Sequence, residues 1–184
     1  MSIRRGVLRI GAIMAAAIAG LAGTIAPAQA SDPFATPLTN TSGNLCAILK
    51  SSESGTQLWQ STCNPTDSSE LWSLTPVGLL PGNPVAYTVY NDGRGLCLDG
   101  YDVQTRGISA FATTCSSATT QEWTLVGTNP HLSIRNVASG ACLVANTQAG
   151  SLVYLGFCPA QTSQGQWNVV TSLPPTLAAA PDRG

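Results

Sequence analysis

The sequence predicts an all-β fold made of three copies of one cysteine-containing repeat. Six cysteines form three pairs, whose members lie 16 to 18 positions apart. A tryptophan follows the second cysteine of each pair after eight or nine positions. The segments between these residues alternate apolar and polar side chains and lack a helical period. Four short strands in each repeat would give twelve strands, and a closed threefold arrangement would leave no exposed sheet edge.

The same residues recur in every repeat at matching distances from the cysteines. An asparagine lies six residues before the first cysteine, and an aromatic residue lies four before the second. The recurring residues are Asn40, Asn91 and Asn136, then Trp59, Phe111 and Tyr154, then Trp72, Trp123 and Trp167. We predict repeats over about 36–77, 85–127 and 130–170. The late tryptophans are flanked by apolar residues, which is typical of a shared core.

Residues 1–30 have the features of a secretory signal peptide. Three arginines precede an apolar run over 10–21, and small residues close the segment at Ala28-Gln29-Ala30. A membrane anchor is the alternative, but the apolar run is too short to span a bilayer well. We therefore expect a secreted, extracellular protein that does not insert into the membrane after cleavage.

Cleavage after Ala30 would leave about one domain of chain. We expect an N-terminal extension over 31–35, one β domain over 36–172 and a flexible tail over 173–184. The exported part holds five basic and nine acidic residues. Because phosphate backbones are held by clustered basic side chains, this composition argues against nucleic acid as a partner.

All six cysteines lie in the part that we expect to be exported. In an oxidising compartment an even number of cysteines indicates disulfides, although six cysteines allow fifteen pairings. The repeat favours pairing inside each copy, as Cys46–Cys63, Cys97–Cys115 and Cys142–Cys158. Zinc is a poor alternative, because no Cys-x-x-Cys motif occurs and His131 is the only histidine. We predict no metal and no cofactor.

Three repeats of this length, each with a cysteine pair and a late tryptophan, resemble the ricin B-type lectin family. Gln121-Glu122-Trp123 reproduces the Gln-x-Trp motif of that family, and Gly95-Leu96-Cys97-Leu98-Asp99 matches its Gly-x-Cys-Leu-Asp motif. Gln57-Leu58-Trp59 matches a further segment. The resemblance implies a β-trefoil of three disulfide-stapled, four-stranded repeats that binds glycans or polysaccharides.

The resemblance also implies a sugar site in the second repeat, formed by Asp99, Phe111, Thr120 and Gln121. A carboxylate can accept hydrogen bonds from sugar hydroxyls, and an aromatic ring can cover the apolar face of a pyranose. Asp99 could instead cap a turn, and Phe111 could instead pack beside the disulfide.

The other two repeats depart from the family pattern, because Ile48 and Val144 occupy the position of Asp99. An aliphatic side chain cannot accept a hydroxyl proton. We therefore expect one well-formed site, with weaker candidates at Gln57, Trp59, Asn146 and Tyr154. A secreted trefoil scaffold that binds a protein partner, as an inhibitor or an envelope-associated factor, is the alternative function. Catalysis is not expected, because His131 has no nucleophile or acid placed beside it by the repeat.

Overall fold

The computed structural model describes residues 35–82, 84–100, 109–158 and 162–169. The predicted signal peptide over 1–30, most of the predicted N-terminal extension and the predicted tail over 173–184 lie outside these residues. Within the described part of the chain, no helix is long and apolar enough to cross a membrane.

Twelve strands and three single-turn 3₁₀ helices make up the described regular structure. The 3₁₀ turns precede the tryptophan strands and span Ser68–Glu70, Thr119–Gln121 and Ser163–Gly165. The strands are β1 Thr36–Asn40, β2 Leu45–Leu49, β3 Thr56–Thr62, β4 Leu71–Leu79, β5 Val85–Asn91, β6 Leu96–Asp99, β7 Phe111–Thr113, β8 Glu122–Thr128, β9 His131–Asn136, β10 Cys142–Val144, β11 Tyr154–Gly156 and β12 Trp167–Val169.

Six of the strands close into a barrel. Each repeat pairs its first strand with its fourth, as β1–β4, β5–β8 and β9–β12. Successive repeats are joined by β4–β5 and β8–β9, and β12 pairs with β1 to complete the circle. The other six strands form three hairpins, β2–β3, β6–β7 and β10–β11. The fold is therefore a β-trefoil, as the repeat pattern and the resemblance predict.

The three hairpins meet in a ring of backbone hydrogen bonds. Leu58 donates its N–H to the carbonyl of Ala110, Ala110 donates to Val153, and Val153 donates back to Leu58, at 2.9, 3.0 and 2.9 Å. These residues each lie five positions before the second cysteine of their repeat. The threefold relation that the sequence predicts is therefore present in the main chain itself.

The recurring tryptophans form the centre of the core, as predicted. Trp72, Trp123 and Trp167 are fully buried. Each indole Nε1–H donates to a carbonyl in the second strand of its own repeat, at 3.0 to 3.1 Å. A buried indole N–H without an acceptor would be costly, so this bond fixes the orientation of each ring.

The recurring asparagines tie each repeat to the one before it. Asn136 is buried and donates its side-chain amide to the carbonyl of Thr120, at 2.7 Å. Asn91 makes the same kind of bond to Ser69, and Asn40 to Gln164. These residues are therefore structural, because they satisfy the carbonyls of the 3₁₀ turns.

The cysteines pair within the repeats, as Cys46–Cys63, Cys97–Cys115 and Cys142–Cys158. All six are bonded, and no described cysteine is free. Each bridge joins the second strand of a repeat to the chain just after its third strand. The within-repeat prediction is confirmed.

Candidate functional site

Asp99 lies directly opposite Phe111 in the β6–β7 pair. Directly opposed residues of antiparallel strands project to the same face of the sheet, so the carboxylate and the ring are neighbours. Phe111 is half-buried. The corresponding pairs in the other repeats are Ile48 with Trp59 and Val144 with Tyr154. The acid therefore faces an aromatic ring only in the second repeat.

The carboxylate of Asp99 is held by a network inside the second repeat. The Asp99 side chain is 5% exposed. Its Oδ2 accepts hydrogen bonds from the hydroxyl of Thr113 at 2.7 Å and from Nε2 of Gln121 at 3.2 Å. Its Oδ1 is buried and has no hydrogen-bond partner among the described residues. The carboxylate is thus fixed through one oxygen while the other remains unpaired.

Gln121 reaches Asp99 from the 3₁₀ turn that precedes Trp123. The Gln121 side chain is 2% exposed. Its Nε2 also donates to Thr113 and to the carbonyl of Thr114, and its Oε1 accepts the backbone N–H of Ser116 at 2.7 Å. Both ends of the amide are therefore occupied inside the protein.

Thr120 lies beside the acid because its backbone carbonyl accepts the N–H of Gly100 at 2.7 Å. A Cβ at Gly100 would lie 2.3 Å from Cγ of Asn136. The buried Asn136 side chain thus lies too close to the main chain of residue 100 for any residue but glycine. Glycine after Asp99 therefore lets the turn of Thr120 close against the acid.

Thr113 was not among the residues predicted from the sequence. It lies two residues after Phe111 in the same strand, so the two side chains share one face of the sheet. The two-residue spacing from Phe111 could have indicated Thr113 as a site residue. A hydroxyl on the same face of the strand as the aromatic residue can bond an acid on the neighbouring strand.

Gln57 is part of the first repeat in sequence, but it lies next to residues of the second repeat in the structure. In the β3–β7 pair it is directly opposite Phe111, so Gln57, Phe111 and Asp99 form a row across three strands. Its Nε2 donates to the hydroxyl of Ser109 at 3.5 Å. Gln57 thus lies on the side of Phe111 opposite to Asp99.

The first repeat replaces the acid and the amide of this network but keeps a hydroxyl, because Ser61 holds the position of Thr113. Ile48 faces Trp59, and Nζ of Lys50 lies 3.6 Å from the centroid of the Trp59 ring. Glu70, at the position of Gln121, is buried and accepts the N–H of Asn64 at 2.6 Å. Burial raises the pKa of Glu70 above its ordinary value, although the N–H of Asn64 acts in the opposite direction.

The third repeat loses the polar side chains altogether. Val144 takes the position of Asp99, Gly156 that of Thr113 and Gly165 that of Gln121. Tyr154 keeps the aromatic position and is half-buried. Asn146 is exposed in the segment after β10 and has no side-chain hydrogen bond among the described residues.

No group of three or more histidine, cysteine, aspartate or glutamate side chains that could hold a metal ion occurs within 35–82, 84–100, 109–158 and 162–169.

Several solved structures share this fold. The designed threefold-symmetric protein ThreeFoil superposes with a TM-score of 0.63 at 19% identity, over 74% of this chain and 97% of its own. An exo-β-1,3-galactanase of Clostridium thermocellum gives 0.66 at 18% identity, over 76% of this chain and 30% of its own. The hemolytic lectin CEL-III gives 0.56 at 18% identity, over 74% of this chain and 35% of its own. At these identities the likeness shows the fold alone.

A search of curated protein sequences found no match. The family model described as the ricin-type beta-trefoil lectin domain matches residues 85–173, which include the second and third repeats. The twelve-stranded trefoil, the three internal disulfides and the Gln-x-Trp strand at Trp123 agree with that match. Residues 85–173 of the chain match this carbohydrate-binding family, and the β-trefoil neighbours support a ricin B-type lectin family.

Proposed function

We propose that this protein is a secreted lectin that binds glycan through its second repeat, at Asp99 and Phe111. The observation that carries the proposal is the unpaired Oδ1 of Asp99, on a carboxylate whose other oxygen is fixed by Gln121 and Thr113. Buried polar atoms are nearly always hydrogen-bonded, so an orphaned acceptor favours a ligand that brings a donor. A sugar hydroxyl is such a donor.

Phe111 supplies the second half of the proposed recognition. Pyranose rings carry an apolar C–H face, which gains free energy when it leaves water against an aromatic side chain. Gln57 borders the opposite side of the Phe111 ring and offers an amide to hydroxyls there. Thr120, on the turn beside Asp99, offers a further hydroxyl.

Gln121 serves this site by positioning rather than by contact. Its amide is buried and has partners at both ends, so no group is left for a ligand. Its Nε2, together with the hydroxyl of Thr113, directs Oδ2 of Asp99 inward and leaves Oδ1 for the sugar. Since Oδ1 is shielded from solvent in the unliganded protein, binding requires a local rearrangement that exposes it.

We propose that the protein acts by binding alone, and weakly. One site per chain that uses a single carboxylate and one ring is consistent with a dissociation constant near 1 mM, which corresponds to about 4 kcal/mol. Glycoside hydrolysis uses two carboxylates on either side of the bond that breaks. The described partners of Asp99 are a hydroxyl and an amide instead.

The test is a glycan array on the mature protein, followed by titration of the best glycan against Asp99→Asn. In this variant the amide oxygen would turn to Gln121 and Thr113, which would leave an NH₂ group where the sugar hydroxyl must donate. We expect binding to fall about tenfold or more. Asp92→Asn is the matched control, because Asp92 bonds Ser73 away from this site. Equal affinity of Asp99→Asn and the unmutated protein would exclude the proposed site.

A protein-binding scaffold is the second candidate function. It is favoured by Ile48 and Val144, which leave two of the three repeats without an acid, and by exposed apolar side chains at Val77, Leu79 and Val126. A blank glycan array together with a specific protein complex would support this function against the first.

We further propose that residues 1–30 direct export and are removed. The three disulfides agree with an oxidising compartment. Mass spectrometry of protein recovered from the culture medium should find an N-terminus at Ser31. Full-length protein retained in the cells would contradict this.

A further inference from the structure

The third repeat contains an open groove that the glycan site does not use. The groove has a volume of about 470 Å³, which lies within the range of small-molecule sites. Its walls are mainly apolar and include Ala141, Tyr154, Leu155 and Phe157. The Phe157 side chain is 99% exposed, which is unusual for a large apolar residue.

The groove exists because the third repeat has no side chain at Gly156. The second repeat has Thr113 at the equivalent position, bonded to Asp99. A Cβ at Gly156 would lie 3.1 Å from Cγ2 of Val144, so a larger residue would both crowd Val144 and fill the groove. The absence of a side chain at the position of Thr113 thus leaves an apolar surface beside Tyr154 open.

A smaller pocket of about 180 Å³, which has polar side chains on one wall, adjoins this groove, and Cys158 lines both. His131, Ser133 and Arg135 alternate along β9 and therefore project to one face, and all three line the pocket. Nε of Arg135 donates to the carbonyl of Gly140, a groove residue, at 3.1 Å. The guanidinium group therefore lies where the two cavities meet.

The β9 wall of the smaller pocket is suited to an anion. The other N–H groups of Arg135 have no hydrogen-bond partner among the described residues, and the hydroxyl of Ser133 has none either. Nδ1 of His131 lies 3.1 Å from Oε1 of Gln166. No carboxylate occurs among the described residues that line either cavity. The charge of Arg135 is thus left for a ligand.

We propose that the groove and the pocket together form a second ligand site, which takes a small amphipathic acid. Its acid group pairs with Arg135, and its apolar body covers Phe157 and Tyr154. An apolar cleft with a few convergent polar groups is the usual form of a small-molecule site. A neutral sugar fits poorly, because the groove walls offer few polar side chains to its hydroxyls.

The test is calorimetric titration of the mature protein with sodium decanoate, below the concentration at which it forms micelles. We expect saturable binding of one molecule per chain. Decanol has the same alkyl chain without the charge, and it should bind at least about tenfold more weakly than decanoate. Sodium acetate should not bind. Arg135→Gln should weaken decanoate about tenfold and leave decanol unchanged, and Phe157→Ser should weaken both.

Lys50→Gln removes one positive charge from the first repeat and should leave decanoate binding unchanged. Asp99→Asn should also leave it unchanged, so a failure of this proposal is distinguishable from a failure of the glycan site. The proposal is overturned if decanoate does not saturate, if Arg135→Gln binds it as the unmutated protein does, or if sodium glucuronate binds more tightly. The last result would make the groove an acidic-sugar site.

Discussion

Glu70 holds the place in the first repeat that Gln121 holds in the second. Each lies two residues before a core tryptophan and accepts the backbone N–H that follows the second cysteine, from Asn64 at 2.6 Å and from Ser116 at 2.7 Å. The two residues differ in the second polar atom of the side chain. Nε2 of Gln121 donates to Asp99, whereas the ionised carboxylate of Glu70 has no proton to donate. The first repeat has thus kept the turn and lost the group that orients an acid.

Glu70→Gln should make the protein more stable at neutral pH. Burial raises the pKa of Glu70, the N–H of Asn64 opposes this, and the charge of Asp67 adds to it. A carboxyl group whose pKa is higher in the folded than in the unfolded state favours folding while it is protonated. Its contribution is therefore present below the ordinary value of 4.5 and is lost as the pH rises through the folded pKa.

Thermal melts at about pH 3.5 and about pH 7 check this expectation. The gain in Tm of Glu70→Gln over the unmutated protein should be small at the lower pH and larger at the higher pH. Glu53→Gln, in an exposed loop, is the matched control and should show no such dependence. A gain in Tm of the same size at both pH values would contradict a raised pKa of Glu70 in the folded protein.

Ile48→Asp combined with Glu70→Gln should create a second glycan site. The new acid would face Trp59 as Asp99 faces Phe111, and the new amide would be placed to hold it. Ile48→Asp alone should lower the free energy of unfolding by about 1–3 kcal/mol, because it adds a carboxylate near that of Glu70. Titration should show the number of glycans bound per chain rising from one to two in the double variant. A folded double variant that still binds only one glycan would refute the equivalence of the two repeats.

Gln121→Glu should weaken both the fold and the glycan site. The substitution replaces the donor 3.2 Å from Oδ2 of Asp99 with a second acceptor, so two carboxylates would face each other in a buried place. We expect a loss of about 2 kcal/mol in the free energy of unfolding near neutral pH, and a smaller loss in acid, where one carboxyl is protonated. Urea denaturation at two pH values measures this. A variant as stable as the unmutated protein would show that Gln121 does not hold the acid.

Gly100→Ala should be strongly destabilising. The added methyl group would lie 2.3 Å from Cγ of Asn136, which is itself bonded to the turn of Thr120. We expect a cost of about 2–4 kcal/mol, since neither the asparagine nor the turn can move without losing hydrogen bonds. Gly78→Ala is the matched control, because a Cβ there meets nothing within 4 Å. Similar Tm values for the two variants would argue against a close contact between the main chain at Gly100 and the side chain of Asn136.

The repeat spacing was sufficient to predict the cysteine pairs and the core position of Trp123 and its equivalents, because both follow from distances along one repeat. The partnership of Asp99 with Phe111 was predicted from the family resemblance, and the β6–β7 register places the two residues opposite each other. Gln57 shows where that reasoning ends, because β3 pairs with β7 of the next repeat and carries Gln57 across to Phe111. A residue counted in one repeat can therefore belong to the site of another.

The burial of Gln121 and the exposure of Arg135 could not be read from the sequence for different reasons. Whether an amide turns inward depends on partners that fold beside it, here Thr113 and Ser116. Arg135 is the only arginine at its position of the repeat, because the other two repeats have Thr39 and Tyr90 there. It is therefore not among the residues that recur in all three repeats. Features present in a single copy become visible only when the strands are assembled.

The ring of main-chain bonds through Leu58, Ala110 and Val153 has a consequence for how such a protein can change over time. Peptide groups hold the three hairpins together, so this contact places little demand on the outward-facing side chains. Each hairpin is then free to accumulate substitutions on its outer surface without loosening its neighbours. One scaffold can in this way carry three outer surfaces of different chemistry on the same main-chain frame.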